Sequence, residues 1–367
     1  MKVLLLVFVV GVVSTVTASP VRANWMSQLM PVLGNATLLD LSLPGAHDTL
    51  TFDLSDTVAD DANDVPEGIA WLLHEFHDLL DIGKVIRNQS ITQGVNLTQM
   101  LDGGVRFIDF RITYSAAPGS GSLGEHDWYG LHFCQTNQKA ITYLTHIKEW
   151  MDVHPEEIVV LWISRHGDNC NTTYPGVSAA AKLKFWSQIE VLFEDMLFDT
   201  RVSRTNETTL RTLLDRNHRM VIYLSDNEDF SNSSPFQMSG CQIENNLVPG
   251  EIDTMKMLNH ANLNFTNTTN QLAANKPRDV FYLASLAGSA GYNQVQNTFL
   301  MDYQPLFHDK LAQECALDFH IPNMTTLCPK HLLDDGLLSN YYVQYLFESV
   351  VASDVAEFPN AFYIDGV

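Results

Sequence analysis

The sequence predicts an α/β fold with a parallel sheet, arranged either as a barrel or as a doubly wound sheet. Short apolar segments alternate with longer segments of helical periodicity, and no internal repeat or long linker interrupts them. Strands such as EEIVVLWIS are apolar nearly throughout, as expected of a parallel strand that is buried on both faces. In both architectures the functional residues lie at the carboxyl ends of the strands.

Strands are predicted where short apolar runs end at turn-forming residues, namely at Leu39–Leu43, Val105–Arg111, Trp128–His132, Ile158–Ser164, Met220–Ser225, Val280–Ser285 and Ala361–Asp365. Helices are predicted where apolar residues recur with a helical period, namely at Pro66–Ile82, Lys139–Val153, Ser178–Phe198 and Leu337–Val351. This alternation of strand and helix is the pattern of a parallel sheet with helical crossovers.

The N-terminus has the pattern of a secretory signal peptide. Lys2 precedes the apolar run Val3–Val10, and the small-residue site Val16-Thr17-Ala18 follows, so we expect residues 1–18 to be removed. Residues 19–367 then form a single domain. Asn-x-Ser/Thr sequons, which indicate N-glycosylation, begin at Asn35, Asn88, Asn96, Asn171, Asn206, Asn232, Asn264, Asn267 and Asn323. The expected location is therefore extracellular or the endolysosomal lumen.

The charge of the chain restricts its partners. A net charge of −22 over 367 residues argues against nucleic acid, whose binding needs clustered Lys and Arg, and against electrostatic docking on an anionic membrane. Peripheral membrane contact through apolar side chains stays open. The loop GSAGYNQVQNTFLMDY, residues 288–303, carries aromatic and apolar residues that fit either such a contact or ordinary loop packing.

Five cysteines are present, an odd number for an oxidising compartment. Cys315 and Cys328 are the nearest in sequence and form our first expected disulfide. No Cys-x-x-Cys motif indicates a zinc or redox site.

Titratable residues recur where successive predicted strands end. They are His47 and Asp48, Asp109 and Arg111, His132, Arg165 and His166, Asp226 and Asp365. In GVRFIDFRIT, alternation along the strand places Asp109 and Arg111 on one face, either as a structural ion pair or as part of a site.

This set of side chains has the chemistry that phosphodiester cleavage requires. Two histidines can act as base and acid near neutral pH, and each is best held by a carboxylate that fixes its tautomer. An arginine offers planar, two-pronged contact to a phosphate. His47, His132, Asp48, Asp365 and Arg111 supply these groups.

Three motifs, LPGAHDT, LDGGVRFIDFRI and WYGLHF, resemble the X domain of phosphatidylinositol-specific phospholipase C and the PLC-like phosphodiesterase superfamily. The segments HPEEIVVLWIS, RMVIYLSD, VFYLASLAGS and PNAFYIDGV are similar to later strands of that family, so the resemblance covers most of the mature chain. It implies an irregular TIM-type barrel and a phosphoric diester hydrolase that acts on phosphatidylinositol-type lipids.

The resemblance also implies roles for individual residues. His47 would be the general base held by Asp365, His132 the general acid held by Asp48, and Arg111 the phosphate contact. Substrate contacts would come from Asp109, Arg165 and Asp226. Since Asp48 and Arg111 resemble the metal-independent bacterial type, we expect neither a metal ion nor another cofactor.

Several alternatives remain at this point. Phe133 follows His132 where the family commonly has glycine, which leaves His126 as a second candidate acid. Cys134 could be a thiolate nucleophile, a disulfide partner or a buried thiol. His74 and His77 could bind a metal or lie on a solvated helix face. The same barrel could cleave another phospholipid or a glycerophosphodiester, or bind inositol lipids or glycans without turnover.

Overall fold

The computed structural model describes residues 20–59, 82–121, 124–167, 172–225, 230, 234–245, 280–285 and 361–364. Predictions outside these ranges concern the signal peptide, residues 66–81 with His74 and His77, the helix Leu337–Val351, the loop 288–303, Cys315 and Cys328.

Eight strands of the described ranges form a parallel sheet. They are β1 (Leu43–Ala46), β3 (Phe107–Ala116), β6 (Val159–Ser164), β7 (Met220–Leu224), β8 (Met238–Ser239), β9 (Ile243–Asn245), β10 (Phe281–Ser285) and β11 (Ala361–Ile364). Their order is β9-β10-β11-β1-β3-β6-β7-β8, and every neighbouring pair is parallel. The predicted α/β class with a parallel sheet is therefore confirmed.

The outermost strands of this order, β8 and β9, are consecutive in the chain and are joined by the 3-10 turn Gly240–Gln242. Within the described ranges these two strands do not pair with each other. The sheet is thus not shown to close into the barrel that the sequence predicts.

A second, antiparallel sheet grows from the far end of β3. It contains β2 (Leu54–Val58), β4 (His126–His132) and β5 (Cys134–Lys139) in the order β2-β5-β4-β3. Residues 107–111 of β3 pair with β6, whereas residues 112–116 pair with β4. The prediction of a parallel strand at Trp128–His132 is therefore wrong in direction, because β4 returns along β3 as the second arm of a hairpin.

The helices are α1 (Pro20–Ala23), α2 (Trp25–Leu33), α3 (Ile82–Ser90), α4 (Leu97–Asp102), α5 (Ala140–Val153), α6 (Ala179–Phe193) and α7 (Leu210–Asp215). The helix predicted at Lys139–Val153 is confirmed as α5. The one predicted at Ser178–Phe198 is shorter, because Glu194 has a φ of 44° and begins a 3-10 turn. No helix in the described part of the chain is long and apolar enough to cross a membrane.

The first strand begins later than Leu39–Leu43 predicts. Leu38–Asp40 forms a 3-10 turn, in which the Asp40 carboxylate accepts hydrogen bonds from the backbone N–H and the hydroxyl of Thr37, both at 2.8 Å. This local cap competes with the extended conformation, so β1 starts at Leu43.

Alternate residues of the central strands face two apolar clusters. Ile108 and Phe110 of β3 face the cluster formed with α4, α5 and α6, whereas Phe107 faces the cluster that includes Trp162, Tyr223 and Phe281. Strand β6 is buried at every residue, which explains its continuous apolar sequence.

A buried ion pair next to the N-terminal end of β3 also holds α2. Arg106 Nη2 lies 2.6 Å from Glu157 Oε2, both side chains are at most 1% exposed, and the guanidinium lies over the rings of Trp25 and Trp150. Glu157 also accepts hydrogen bonds from the backbone N–H groups of Met26 and Ser27 near the start of α2. The pair anchors the N-terminal helix at the face opposite the carboxyl ends of the strands.

Candidate active site

The site begins where β1 ends in a tight turn. Asp48 has left-handed backbone angles, φ 44° and ψ 50°, and its N–H donates a 3.0 Å hydrogen bond to Asp109 Oδ2. The carbonyl of His47 accepts a 2.7 Å hydrogen bond from Gln93 Nε2. Aspartate tolerates this conformation better than most residues, and the buried contacts hold it. The turn therefore fixes both His47 and Asp48 at the sheet edge.

Arg111 lies at the centre of the site. Its Nη1 is 2.7 Å from Asp48 Oδ1, its Nε donates to Asp109 Oδ2 at 3.0 Å, and its Nη2 lies 3.0 Å from His47 Nε2. Asp109 and Arg111 share one face of β3, as the alternation in the sequence predicts. The guanidinium is thus held from three directions.

His132 reaches the same place from the antiparallel sheet. Ile112 of β3 pairs with Gly130 of β4, and because the two strands are antiparallel, His132 lies near the level of Arg111. The Nδ1 atom of His132 lies 2.6 Å from the carbonyl oxygen of Ser90, the last residue of α3. Its Nε2 atom lies 3.3 Å from Asp48 Oδ2. Since a carbonyl only accepts, Nδ1 carries the proton in this contact.

Asp48 contacts both histidines. Its Oδ2 lies 3.3 Å from His47 Nε2 and also 3.3 Å from His132 Nε2. The implied division, in which Asp48 holds only His132, is therefore wrong. A single buried carboxylate is shared by the two imidazoles and the guanidinium of Arg111.

The electrostatics of the site favour neutral imidazoles when no ligand is bound. Burial lowers the pKa of His47 to about 4, with Asp48 opposing that effect and Arg111 adding to it. Burial and Arg111 lower the pKa of His132 to about 4, against the hydrogen bond to the Ser90 carbonyl. An anion placed on Arg111 would remove part of this effect and favour protonation of a histidine.

The cluster has donor atoms that a metal ion could use. Ligand atoms of His47, Asp48 and Asp109 all lie within 4.8 Å of one another. Arg111 contacts each of these three side chains, so its guanidinium already supplies the positive charge at their centre. The side chains that could bind a metal ion therefore already contact the positively charged guanidinium of Arg111.

The remaining predicted residues fall into two groups. Asp109 is fully buried beneath Arg111 and the Asp48 turn, so it fits a positioning role better than the implied contact to substrate. Arg165 directly follows β6 and is 6% exposed, with Nη1 3.4 Å from the Thr173 carbonyl. Asp226 and Asp365 lie outside the described residues, although Ile364 pairs with Ala46, the residue before His47.

The structure also bears on the alternatives around His132. His126, at the far end of β4, is exposed, and its Nδ1 lies 3.1 Å from the Gly124 carbonyl. Cys134 is a free, buried thiol whose pKa burial raises to about 12, so it stays protonated and is a poor nucleophile.

Ser90, Gln93 and Gly167 escaped the sequence reasoning, and His166 was noted only as a residue that follows the fourth predicted strand. The backbone carbonyl of Ser90 accepts a hydrogen bond from His132, and the side-chain amide of Gln93 donates one to the backbone carbonyl of His47. The sequence carries no signal for either contact. His166 lies close enough to His132 to lower its pKa. Gly167 has a φ of 76°, and a Cβ there would lie 2.7 Å from Arg111 Nη2. The SRHG segment after a buried strand was the available signal for these last two.

Comparison with known proteins relates part of the chain to a known family. The family model described as "PI-PLC X 1" matches residues 77–240. This segment is similar to the PI-PLC X domain. The resemblance to the PLC-like phosphodiesterase superfamily is thereby confirmed, and the matched segment contains Arg111 and His132 but begins after His47 and Asp48.

Curated relatives with PI-PLC X domains match part of the chain. PI-PLC X domain-containing protein 1 of Mus musculus is 35% identical over 153 residues, which cover 41% of this chain and 41% of that protein. The Homo sapiens protein of the same name is 30% identical over 205 residues, covering 55% of this chain and 57% of that protein. The chain thus spans about half of the length of these relatives.

Solved PI-PLC structures share the fold over nearly the whole chain. The phosphatidylinositol-specific phospholipase C of Listeria monocytogenes aligns with a TM-score of 0.53 and 15% identity, covering 94% of each chain. The phosphatidylinositol-specific phospholipase C of Staphylococcus aureus aligns with a TM-score of 0.52 and 13% identity, covering 94% of this chain and 91% of that one. At these identities the likeness establishes the fold.

Proposed function

We propose that this chain is a phosphodiesterase that cleaves phosphatidylinositol-type lipids by base and acid catalysis. The observation that carries the proposal is the convergence of two histidines, His47 buried and His132 half-buried, and one arginine on the single carboxylate of Asp48. The PI-PLC X domain supports the same reaction class.

His47 is the proposed base. A guanidinium N–H only donates hydrogen bonds, so the 3.0 Å contact from Arg111 Nη2 leaves the lone pair of His47 Nε2 as the acceptor. An unprotonated Nε2 can take the proton of the inositol 2-hydroxyl when the phosphate of the substrate engages Arg111. That oxygen then attacks phosphorus and forms a cyclic phosphate.

His132 is the proposed acid. Its Nδ1–H donates to the Ser90 carbonyl, so a second proton would be held on Nε2, which faces Asp48. The C-terminal end of α3 and the Asp48 carboxylate both favour the imidazolium. When the bond from phosphorus to the glycerol oxygen breaks, Nε2–H protonates the leaving oxygen. With the roles reversed, water can open the cyclic product.

Further parts of the proposal follow the resemblance. The described pairing of Ala46 with Ile364, continued by one residue, is the basis for proposing Asp365 as the carboxylate partner of His47. Arg165 and Asp226 are proposed as contacts to the inositol. Arg111 contacts His47, Asp48 and Asp109, the three side chains that could bind a metal ion, and these contacts support catalysis without one. The signal-peptide pattern and the sequons support a secreted or endolysosomal glycoprotein, and the apolar side chains of residues 288–303 support the proposal of peripheral membrane contact.

The test is cleavage of phosphatidylinositol vesicles, followed by phosphorus NMR of the inositol phosphates. We expect turnover by the purified chain and a loss of at least about 100-fold in His47→Ala, His132→Ala and Arg111→Ala. Matched controls are His126→Ala, an exposed histidine on the same strand as His132, and Arg204→Ala, whose side chain is 70% exposed.

Two results would overturn the proposal. Turnover that survives His47→Ala would contradict the mechanism. Failure of the wild-type chain to cleave any phosphodiester lipid, combined with retained binding to inositol-lipid vesicles, would favour a barrel that binds without turnover.

A further inference from the structure

Phe133 forms an unusually tight reversal beside the proposed acid. His132 and Cys134 pair with each other as the last residue of β4 and the first of β5, so Phe133 alone makes the turn between them. This geometry gives Phe133 a φ of 58°, a conformation that glycine adopts readily and a bulky residue does not. A phenylalanine there is strained, and such strain is commonly found where function requires the side chain.

The ring of Phe133 lies against the imidazole of His132. The two ring centroids are 4.8 Å apart, with an interplanar angle of 31°. The ring also packs against the apolar cluster of Leu54, Ile86 and Cys134. It is therefore held between that cluster and the histidine.

The backbone of the turn is anchored as well. The carbonyl of Phe133 accepts a 2.9 Å hydrogen bond from the N–H of Ala59, just beyond β2. On the histidine itself, the Ser90 carbonyl fixes Nδ1 but leaves the imidazole free to tilt about that contact. A flat ring against the imidazole removes this remaining freedom.

We propose that Phe133 is a positioning residue that holds the His132 imidazole with its Nε2 directed at Asp48. The expected effect on turnover rests on the proposed function. The position assigned to the imidazole rests only on the contact between the two rings. Glycine would relieve the backbone strain of the turn but would remove the ring, so a loss of kcat in Phe133→Gly would come from the missing ring and not from strain in the turn.

The experiment compares Phe133→Gly, Phe133→Ala and Phe133→Tyr in the full chain. Phe133→Gly should be at least as stable as Phe133→Ala to urea, because only glycine adopts the positive φ without strain. Its kcat should fall about tenfold or more, with KM changed less than about twofold, because the acid is displaced while phosphate binding is kept. Phe133→Tyr keeps the ring and should restore kcat.

Proton NMR of histidine-labelled protein gives a readout that is independent of turnover. The His132 ring protons, assigned by their loss in His132→Gln, should show a ring-current shift in wild type and Phe133→Tyr that disappears in Phe133→Gly. A Phe133→Gly protein with unchanged His132 signals would overturn the proposal, as would a kcat within twofold of wild type in an active enzyme. If wild type cleaves no phosphodiester, the proposed function fails and the NMR comparison alone decides whether Phe133 positions His132.

Discussion

Gly167 offers a sharp test of how tightly the guanidinium of Arg111 is held. Alanine at this position would place a Cβ 2.7 Å from Arg111 Nη2 and 3.0 Å from Cζ, at a φ of 76°. Gly176 has the same φ of 76°, but a Cβ there meets nothing within 4 Å. Gly176→Ala therefore carries the backbone strain without the collision and is a matched control.

The expected magnitudes follow from these distances. Alanine at a positive φ costs about 1–2 kcal/mol at either position. In Gly167→Ala the guanidinium must also retreat by about 0.7 Å to reach the 3.4 Å of ordinary contact. Its 3.0 Å contacts to Asp109 and His47 would then exceed hydrogen-bonding distance. Losing one or two charge-assisted hydrogen bonds adds about 1.5–6 kcal/mol.

We therefore expect Gly176→Ala to lose about 1–2 kcal/mol of unfolding free energy and Gly167→Ala about 2.5–8 kcal/mol. In the vesicle assay, Gly176→Ala should retain wild-type turnover, whereas Gly167→Ala should lose at least about tenfold in kcat/KM. Urea denaturation and initial rates measure the two quantities. Equal stability and equal turnover of the two variants would refute the reasoning that Gly167 is required by Arg111.

Three further predictions concern the charges of the fold and the site. Glu157→Ala leaves Arg106 buried without its partner, so the free energy of unfolding measured in urea should fall by about 3–5 kcal/mol. A loss below about 1 kcal/mol would be inconsistent with the buried pair. The pKa values of His47 and His132 are lowered from 6.5 to about 4, so the unfolded chain binds more protons than the folded chain between these pH values. The free energy of unfolding should therefore be constant above pH 6.5 and fall as the pH drops towards 4. Identical urea midpoints at pH 7.5 and pH 5 would contradict this prediction. EDTA should leave turnover unchanged because Arg111 supplies the cation, and loss of turnover in EDTA with recovery in calcium alone would show that a metal ion is needed.

Local patterns predicted the parts of the site that lie along one strand or at its end. The alternation in GVRFIDFRIT was enough to place Asp109 and Arg111 on one face, because side chains alternate in any extended strand. The amphipathic pattern of Lys139–Val153 likewise predicted α5 nearly to the residue. Both inferences depend only on the geometry of a single element.

Pairing between elements could not be obtained in this way. The segment Trp128–His132 has the composition of a buried strand in either direction, and only its pairing with residues 112–116 of β3 shows that it is antiparallel. The sharing of Asp48 by His47 and His132 depends on the left-handed turn at Asp48, which places one carboxylate oxygen 3.3 Å from both rings. Such a conformation depends on the tertiary contacts around it.

The pairing of β1 with β11 has a consequence for the biosynthesis of the protein. Leu43 pairs with Ala361, and Ala46 with Ile364, so β1 gains this neighbour only when the polypeptide has been extended by roughly 320 residues. At about 5–20 residues per second, a ribosome needs about 15–60 s to cover that distance. During this interval β1, the strand that leads into His47, lacks one of its two neighbouring strands. We therefore expect the turn with His47 and Asp48 to reach its final conformation only after β11 has emerged, when the chain is nearly finished.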